Sequence, residues 1–156
     1  MIEESSLRNA ESLIRFGTEK LSSISDVPRL EAEVLLSNLL KINPIKFHTE
    51  DIGISPNVMD KFESMIESRF KGIPIAYLIG KKEFWSLSFE INSSVLVPRP
   101  ETELLIENAI ELLKDQESPK ILELGTGSGI VSIVLHKELL SPEITATDIS
   151  SEALYV

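Results

Sequence analysis

The residues best equipped for chemistry lie in the segment Ile121-Leu122-Glu123-Leu124-Gly125-Thr126-Gly127-Ser128-Gly129. An apolar run ending in an acid, then glycine at alternate positions, reads as a buried strand, a tight turn and the start of a helix. Such a turn needs positive φ or a bare backbone, and a ligand can approach the main chain only where no Cβ intrudes. The next short strand pattern ends in Asp148. A carboxylate there can accept both hydroxyls of a ribose. Glu123, ending the first strand, puts a second carboxylate at the charged end of the same ligand. The set describes a site for a nucleoside-bearing cofactor.

The spacing bears on which cofactor. The dinucleotide pattern is Gly-x-Gly-x-x-Gly, whose third glycine lets the helix pack close and present its N-terminus to a pyrophosphate. Here the pattern is Gly125-x-Gly127-x-Gly129, and Ile130 stands where the third dinucleotide glycine belongs. An acid at Glu123 is also unwelcome beside a pyrophosphate. It suits a ligand with an amine and a sulfonium, and S-adenosylmethionine (SAM) has both and no phosphate. An NAD-type cofactor and a glycine-rich turn without ligand are the other two readings.

The elements that must position these residues follow from periodicity. Strand 120–124, a helix of about 128–140 and strand 143–147 make a βαβ pattern, which implies a parallel sheet. Before them, Pro98-Arg99-Pro100 cannot lie inside a helix. A helix starts just after, with Glu101 and Glu103 in a first turn that favours acids. Leu105, Ala109 and Leu112 form one stripe on it, and Ile106, Ile110 and Leu113 another, so the helix is expected to pack on two sides. Phe84 to Ile91 is aromatic-rich and partly alternating. With the turn cluster Asn92-Ser93-Ser94 and a second strand, Val95-Leu96-Val97, it predicts a β-hairpin over 83–97.

The first part of the chain reads as helices. Leu7, Ala10, Ile14, Gly17, Leu21 and Ile24 form one apolar stripe. Asp26 and Pro28 begin a second helix, with Ala32, Leu35, Leu36, Leu39 and Leu40 inward. Asn43-Pro44 opens a short turn or helix. Ser55-Pro56 starts a further helix carrying Met59, Phe62, Ile66 and Phe70 inward, which Gly72 stops. Short amphipathic helices with short loops make a small bundle. The predicted organisation is thus a helical domain at 1–75, a hairpin linker at 76–98, and an α/β part at 99–156. The fold class is a two-part chain, α+β in sum and α/β in its second part.

Composition narrows the function classes. The 156 residues carry a formal net charge of −10 and are 42% hydrophobic. An acidic surface of this kind repels phosphate backbones, so direct nucleic-acid binding is not expected. Cysteine is absent, which removes disulfides, thiolate nucleophiles and Cys-based zinc sites. His48 and His136 each stand alone, and no metal site is expected. The N-terminal residues have no basic segment followed by an apolar run, and no stretch reaches transmembrane length. A cytoplasmic monomer with no membrane contact is the expectation.

Glu123 to Gly129 with Ala146-Thr147-Asp148-Ile149-Ser150 resembles motifs I and II of class I SAM-dependent methyltransferases. A more specific likeness is carried by Val97-Pro98-Arg99-Pro100-Glu101-Thr102-Glu103, preceded by Gly72-Ile73-Pro74-Ile75-Ala76-Tyr77-Leu78-Ile79-Gly80 and Glu83-Phe84. That ordered set resembles the release-factor glutamine methyltransferases, the HemK/PrmC family, along essentially the whole chain. The resemblance implies a Rossmann-like methyltransferase domain after the helical one. It implies methyl transfer from SAM to the glutamine side-chain amide in the Gly-Gly-Gln loop of peptide chain release factors. An amide nitrogen is a poor nucleophile, so catalysis in such enzymes is mostly orientation and proximity, through an Asn-Pro-Pro-Tyr motif. Carried over, Gly125, Thr126, Gly127, Ser128 and Gly129 form the SAM loop and Asp148 binds the ribose. Arg99, Glu101 and Thr102 belong to a pocket wall.

Asn-Pro-Pro-Tyr does not occur in these 156 residues; the only Asn-Pro, Asn43-Pro44, is followed by Ile45. The chain therefore reads as the N-terminal portion of such an enzyme, with an incomplete sheet, no catalytic residue of its own, no methyltransferase activity alone and weak SAM affinity. The alternatives are a non-catalytic module that docks a release factor through its helical domain, and an NAD-binding fragment. Ile130, Val131, Ile133, Val134 and Leu135 make the glycine-loop helix apolar nearly all round, so it expects cover from neighbours. Residues 1–75 are expected to fold more independently.

Overall fold

The computed structural model describes residues 9–156. The chain divides between Ile79 and Gly80 into two compact units. The predicted linker at 76–98 therefore falls on both sides of that division. Leu7, placed on the first helical stripe, lies outside the described residues.

The first unit is helical. Helix α1 (Ala10–Leu21) opens on Asn9, whose side chain accepts a hydrogen bond from the Ser12 amide. Helix α2 (Pro28–Leu40) and helix α3 (Pro56–Phe70) both start on a proline, where no amide is needed. A 3-10 turn, Pro44–His48, lies between them and is opened by Asn43. Gly72 ends α3 at φ +95, with its own amide bonded to Arg69 O and the Ile73 amide bonded to Ser68 O. That pairing satisfies two orphan carbonyls of the last turn. The single-turn helix α4 (Ile75–Ile79) closes the unit.

Leu13, Ile14, Leu21, Ala32, Leu35, Leu36, Phe62 and Ile66 are buried, and Leu39, Leu40 and Met59 pack against them in part. The predicted stripes are thus correct in their centres. They fail at the ends. Ile24 lies beyond α1, and Ile24 and Phe70 are both 39% exposed. Helical spacing places a residue on a face but does not fix how far the core extends along it; at Phe70 the neighbour is the Lys20 ammonium, 5.1 Å from the ring centroid. Arg69 on α3 donates from Nε and Nη2 to the two Glu31 carboxylate oxygens of α2, at 2.9 and 3.0 Å. Both side chains are largely covered. Arg69→Ala leaves Glu31 without its cation in a partly desolvated place, and is expected to lower unfolding stability by about 2 kcal/mol in denaturant titration. A loss below roughly 0.5 kcal/mol would class the pair with exposed ones.

The second unit opens on a hairpin, but not the predicted one. Strands β1 (Lys81–Phe84) and β2 (Leu87–Glu90) pair antiparallel, with Lys81 opposite Glu90 and Phe84 opposite Leu87. The turn is Trp85-Ser86, at φ +51 and +57. Two successive left-handed residues match the twist of a two-residue hairpin. The run read as one strand therefore folds on itself. Asn92-Ser93-Ser94 turns as expected, with Asn92 Oδ1 accepting from the Ser94 amide. Val95-Leu96-Val97 is not a strand: β1 has taken the place opposite β2.

Helix α5 (Glu101–Leu113) follows, then strand β3 (Lys120–Leu124), helix α6 (Ile130–Glu138) and strand β4 (Glu143–Thr147). β3 and β4 pair in parallel, with Glu123 opposite Ala146. α6 packs on α5 and on β4. The expectation that α5 packs on two sides is corrected: Ile106 is buried, while Leu105 and Leu112 stand exposed. On α6, Ile130, Val134 and Leu135 are buried, and Ile133 is about half exposed. Past Asp148 the chain makes a 3-10 turn, Ala153–Tyr155. No helix among the described residues is long and apolar enough to cross a membrane.

Candidate functional site

The loop between β3 and α6 is held by main-chain and side-chain hydrogen bonds. Gly125, Gly127 and Gly129 have φ of +73, +56 and +72, a region only glycine enters without strain. The amides of Gly125 and Thr126 both bond to Thr147 O on β4, at 2.8 and 2.9 Å. The first half of the turn is thus anchored to the neighbouring strand. A Cβ built at Gly125 or Gly127 meets nothing within 4 Å, so open space borders the loop there.

Two carboxylates hold the loop. Asp148, just past β4, accepts the Gly127 amide on Oδ2 at 2.8 Å and the Ser150 amide on Oδ1 at 2.9 Å. The Ser150 and Gly127 amides hold its carboxyl below the usual carboxylate range. Glu123 accepts on Oε2 from the Thr126 hydroxyl at 3.0 Å, from the Ser132 amide at 3.1 Å and from the Ser132 hydroxyl. Both acids therefore shape the turn from within as well as facing outward. A carboxylate has about four acceptor positions, so neither is saturated.

A cleft of about 160 Å³ lies against the loop, lined by Glu123, Gly125, Thr126, Gly127, Ser128, Ile130 and Val131 together with Leu96, Pro98, Arg99 and Thr102. The residues selected from sequence thus largely converge. Arg99 and Thr102 form part of the wall, whereas Glu101, Gly129 and Asp148 do not line this cleft. Leu96, Ile130 and Val131 are apolar wall that the sequence offered only as strand or helix core. Ser132 was not foreseen at all, and its only signal is its place in the first turn of the helix that follows Glu123. Among the described residues no cluster of His, Asp and Glu could hold a metal.

Acid-ended parallel strands, a glycine turn and a crossover helix define a βαβ unit, preceded in the chain by a helical unit. Residues 12–80 match the family model described as the PrmC N-terminal domain. The chain is 39% identical over 140 residues to a release factor glutamine methyltransferase of Coxiella burnetii, covering 89% of this chain and 50% of that protein. It is 36% identical over 144 residues to the release factor glutamine methyltransferase of Buchnera aphidicola subsp. Baizongia pistaciae, covering 92% of this chain and 52% of that protein. A crystal structure of protein-(glutamine-N5) methyltransferase (release factor-specific) from Alicyclobacillus acidocaldarius superposes with a TM-score of 0.33 at 38% identity, over 40% of this chain and 39% of that one. The recognition made from the motifs holds: the chain is related to the release factor glutamine methyltransferases of the HemK/PrmC family, and the match is of the kind an N-terminal portion gives. It spans about half the length of the relatives it matches.

Proposed function

We propose that the chain is the N-terminal portion of an enzyme that methylates, from SAM, the glutamine side-chain amide in the Gly-Gly-Gln loop of peptide chain release factors. The likeness over 89% of the chain to a release factor glutamine methyltransferase carries this reading. The site is compatible with it. SAM brings a methyl group on a cationic sulfonium, next to an amine and an adenosine. Open space beside Gly125 and Gly127 admits a ligand to the main chain. Glu123 in the cleft matches positive charge, and Asp148 keeps acceptor positions for ribose hydroxyls. In this reading residues 80–156 begin a Rossmann-like methyltransferase domain in the cytoplasm. Residues 1–75, most of which match the PrmC N-terminal domain, dock the release factor.

Titration of the 156-residue chain with SAM and separately with NAD, followed by amide resonances, tests the cofactor. SAM is expected to shift Gly125–Gly129 and Asp148 with affinity weaker than micromolar, and NAD to leave them in place. Saturation by NAD alone would reverse the assignment. Incubated with SAM and a release factor, the same polypeptide is expected to form no methylglutamine, because Asn-Pro-Pro-Tyr is not among its residues. Methylglutamine detected by mass spectrometry would show that this motif is dispensable.

A further inference from the structure

Glu123 does not hang free at the end of β3. Ser132, in the first turn of α6, gives it both a main-chain amide and a hydroxyl, and Thr126 adds a second hydroxyl. An amide in a helix's first turn has no partner within the helix, so Glu123 satisfies it and sits where the macrodipole favours an anion. All three donors fall on Oε2. The donors thus hold the carboxylate in one rotamer and leave Oε1 as the acceptor it can offer to the cleft it lines. Among the described residues, no lysine, arginine or histidine forms an ion pair with Glu123.

From this convergence we propose that Ser132 is a positioning residue, which locks Glu123 as the fixed counter-charge for the cationic end of the cofactor. The inference rests on the SAM reading and adds to it a residue outside the glycine loop. It separates two parts of the ligand: the cationic methionine end should depend on Ser132, and the neutral nucleoside should not.

The test is a titration of the full chain with SAM and with adenosine, followed by amide resonances to millimolar ligand. Ser132→Ala is expected to weaken SAM about three- to tenfold, in the range of one ordinary net hydrogen bond because the loss acts through the positioning of Glu123, and to leave adenosine unchanged. Ser132→Thr, which keeps the hydroxyl, should restore SAM affinity. Glu123→Gln should reproduce the loss, and the double variant should lose little more than either single one, because both act through one carboxylate. Equal weakening of SAM and adenosine by Ser132→Ala would assign Ser132 a general structural role and overturn the proposal, as would unchanged SAM affinity. Wild-type chain that binds adenosine but not SAM would instead overturn the cofactor reading, and this proposal with it.

Discussion

Gly17→Val is expected to lower the unfolding stability of the helical unit by about 3 kcal/mol, at the upper end of what overpacking does. Gly17 lies where α1 crosses α2 and α3. A Cβ there would sit 2.9 Å from Ala32 Cβ, 2.9 Å from Ile66 Cδ1 and 3.0 Å from Phe62 Cζ. The Ala32 methyl moves only with its backbone, so rotamer changes cannot relieve that contact. Phe62 and Ile66 are themselves fully buried, and close-packed interiors leave little room to retreat. Gly17→Ala is the informative control. It gains about 1 kcal/mol of helix propensity over glycine, so its net loss should be distinctly smaller than that of valine. Denaturant titration by far-ultraviolet circular dichroism reads both. Equal stability of wild type and Gly17→Val would mean that the three helices do not approach as closely as described.

Asp148→Ala is expected to loosen the glycine loop and, on the proposed SAM reading, to weaken SAM roughly tenfold or more, by removing charge-assisted hydrogen bonds to the loop and the acceptors proposed for the ribose. The Gly127 and Ser150 amides lose their acceptor at once. Amide exchange at Gly127 should accelerate in the variant. Asp148→Asn, which keeps an oxygen acceptor but not the charge, should fall between alanine and wild type. The pH dependence has a definite sign. The native carboxyl is held below its ordinary value, so its contribution is complete above the unfolded-state pKa and disappears as pH falls through the native one. Gly127 protection in the wild type should therefore hold from neutral pH down to the ordinary carboxylate range and drop only below it. In Asp148→Ala this acid-dependent step should be missing. Gly127 exchange that is the same in both proteins at neutral pH would show that the loop does not depend on Asp148.

Much of this architecture was legible because the reasons are local. Pro28 and Pro56 start helices since a proline suits a first turn, and Gly72 ends one since its φ of +95 suits no other residue. Strands 120–124 and 143–147 lie where short strand patterns between turn signals place them. The hairpin shows the opposite case. Composition pointed to Asn92-Ser93-Ser94 as the turn, yet the chain reverses at Trp85-Ser86 through two left-handed residues that are neither glycine nor asparagine. Phe84 and Phe89 meet edge to face across the pair, with ring centroids 6.4 Å apart. We attribute the choice of turn to this cross-strand packing, which outweighs the local preference. The Leu105 and Leu112 stripe on α5 fails for a related reason: periodicity shows which residues share a face, not whether anything covers it.

The glycine turn and its two acids could be read from residue order alone, because positive φ, a strand end and a carboxylate are properties of single positions. Ordering those acids took residues distant in sequence. Asp148 meets Gly127 only because β4 lies parallel beside β3, and Glu123 is held because α6 returns Ser132 to the strand end. Spacing along the chain cannot specify which donors converge on one carboxylate oxygen; that depends on how strands and helix pack in three dimensions.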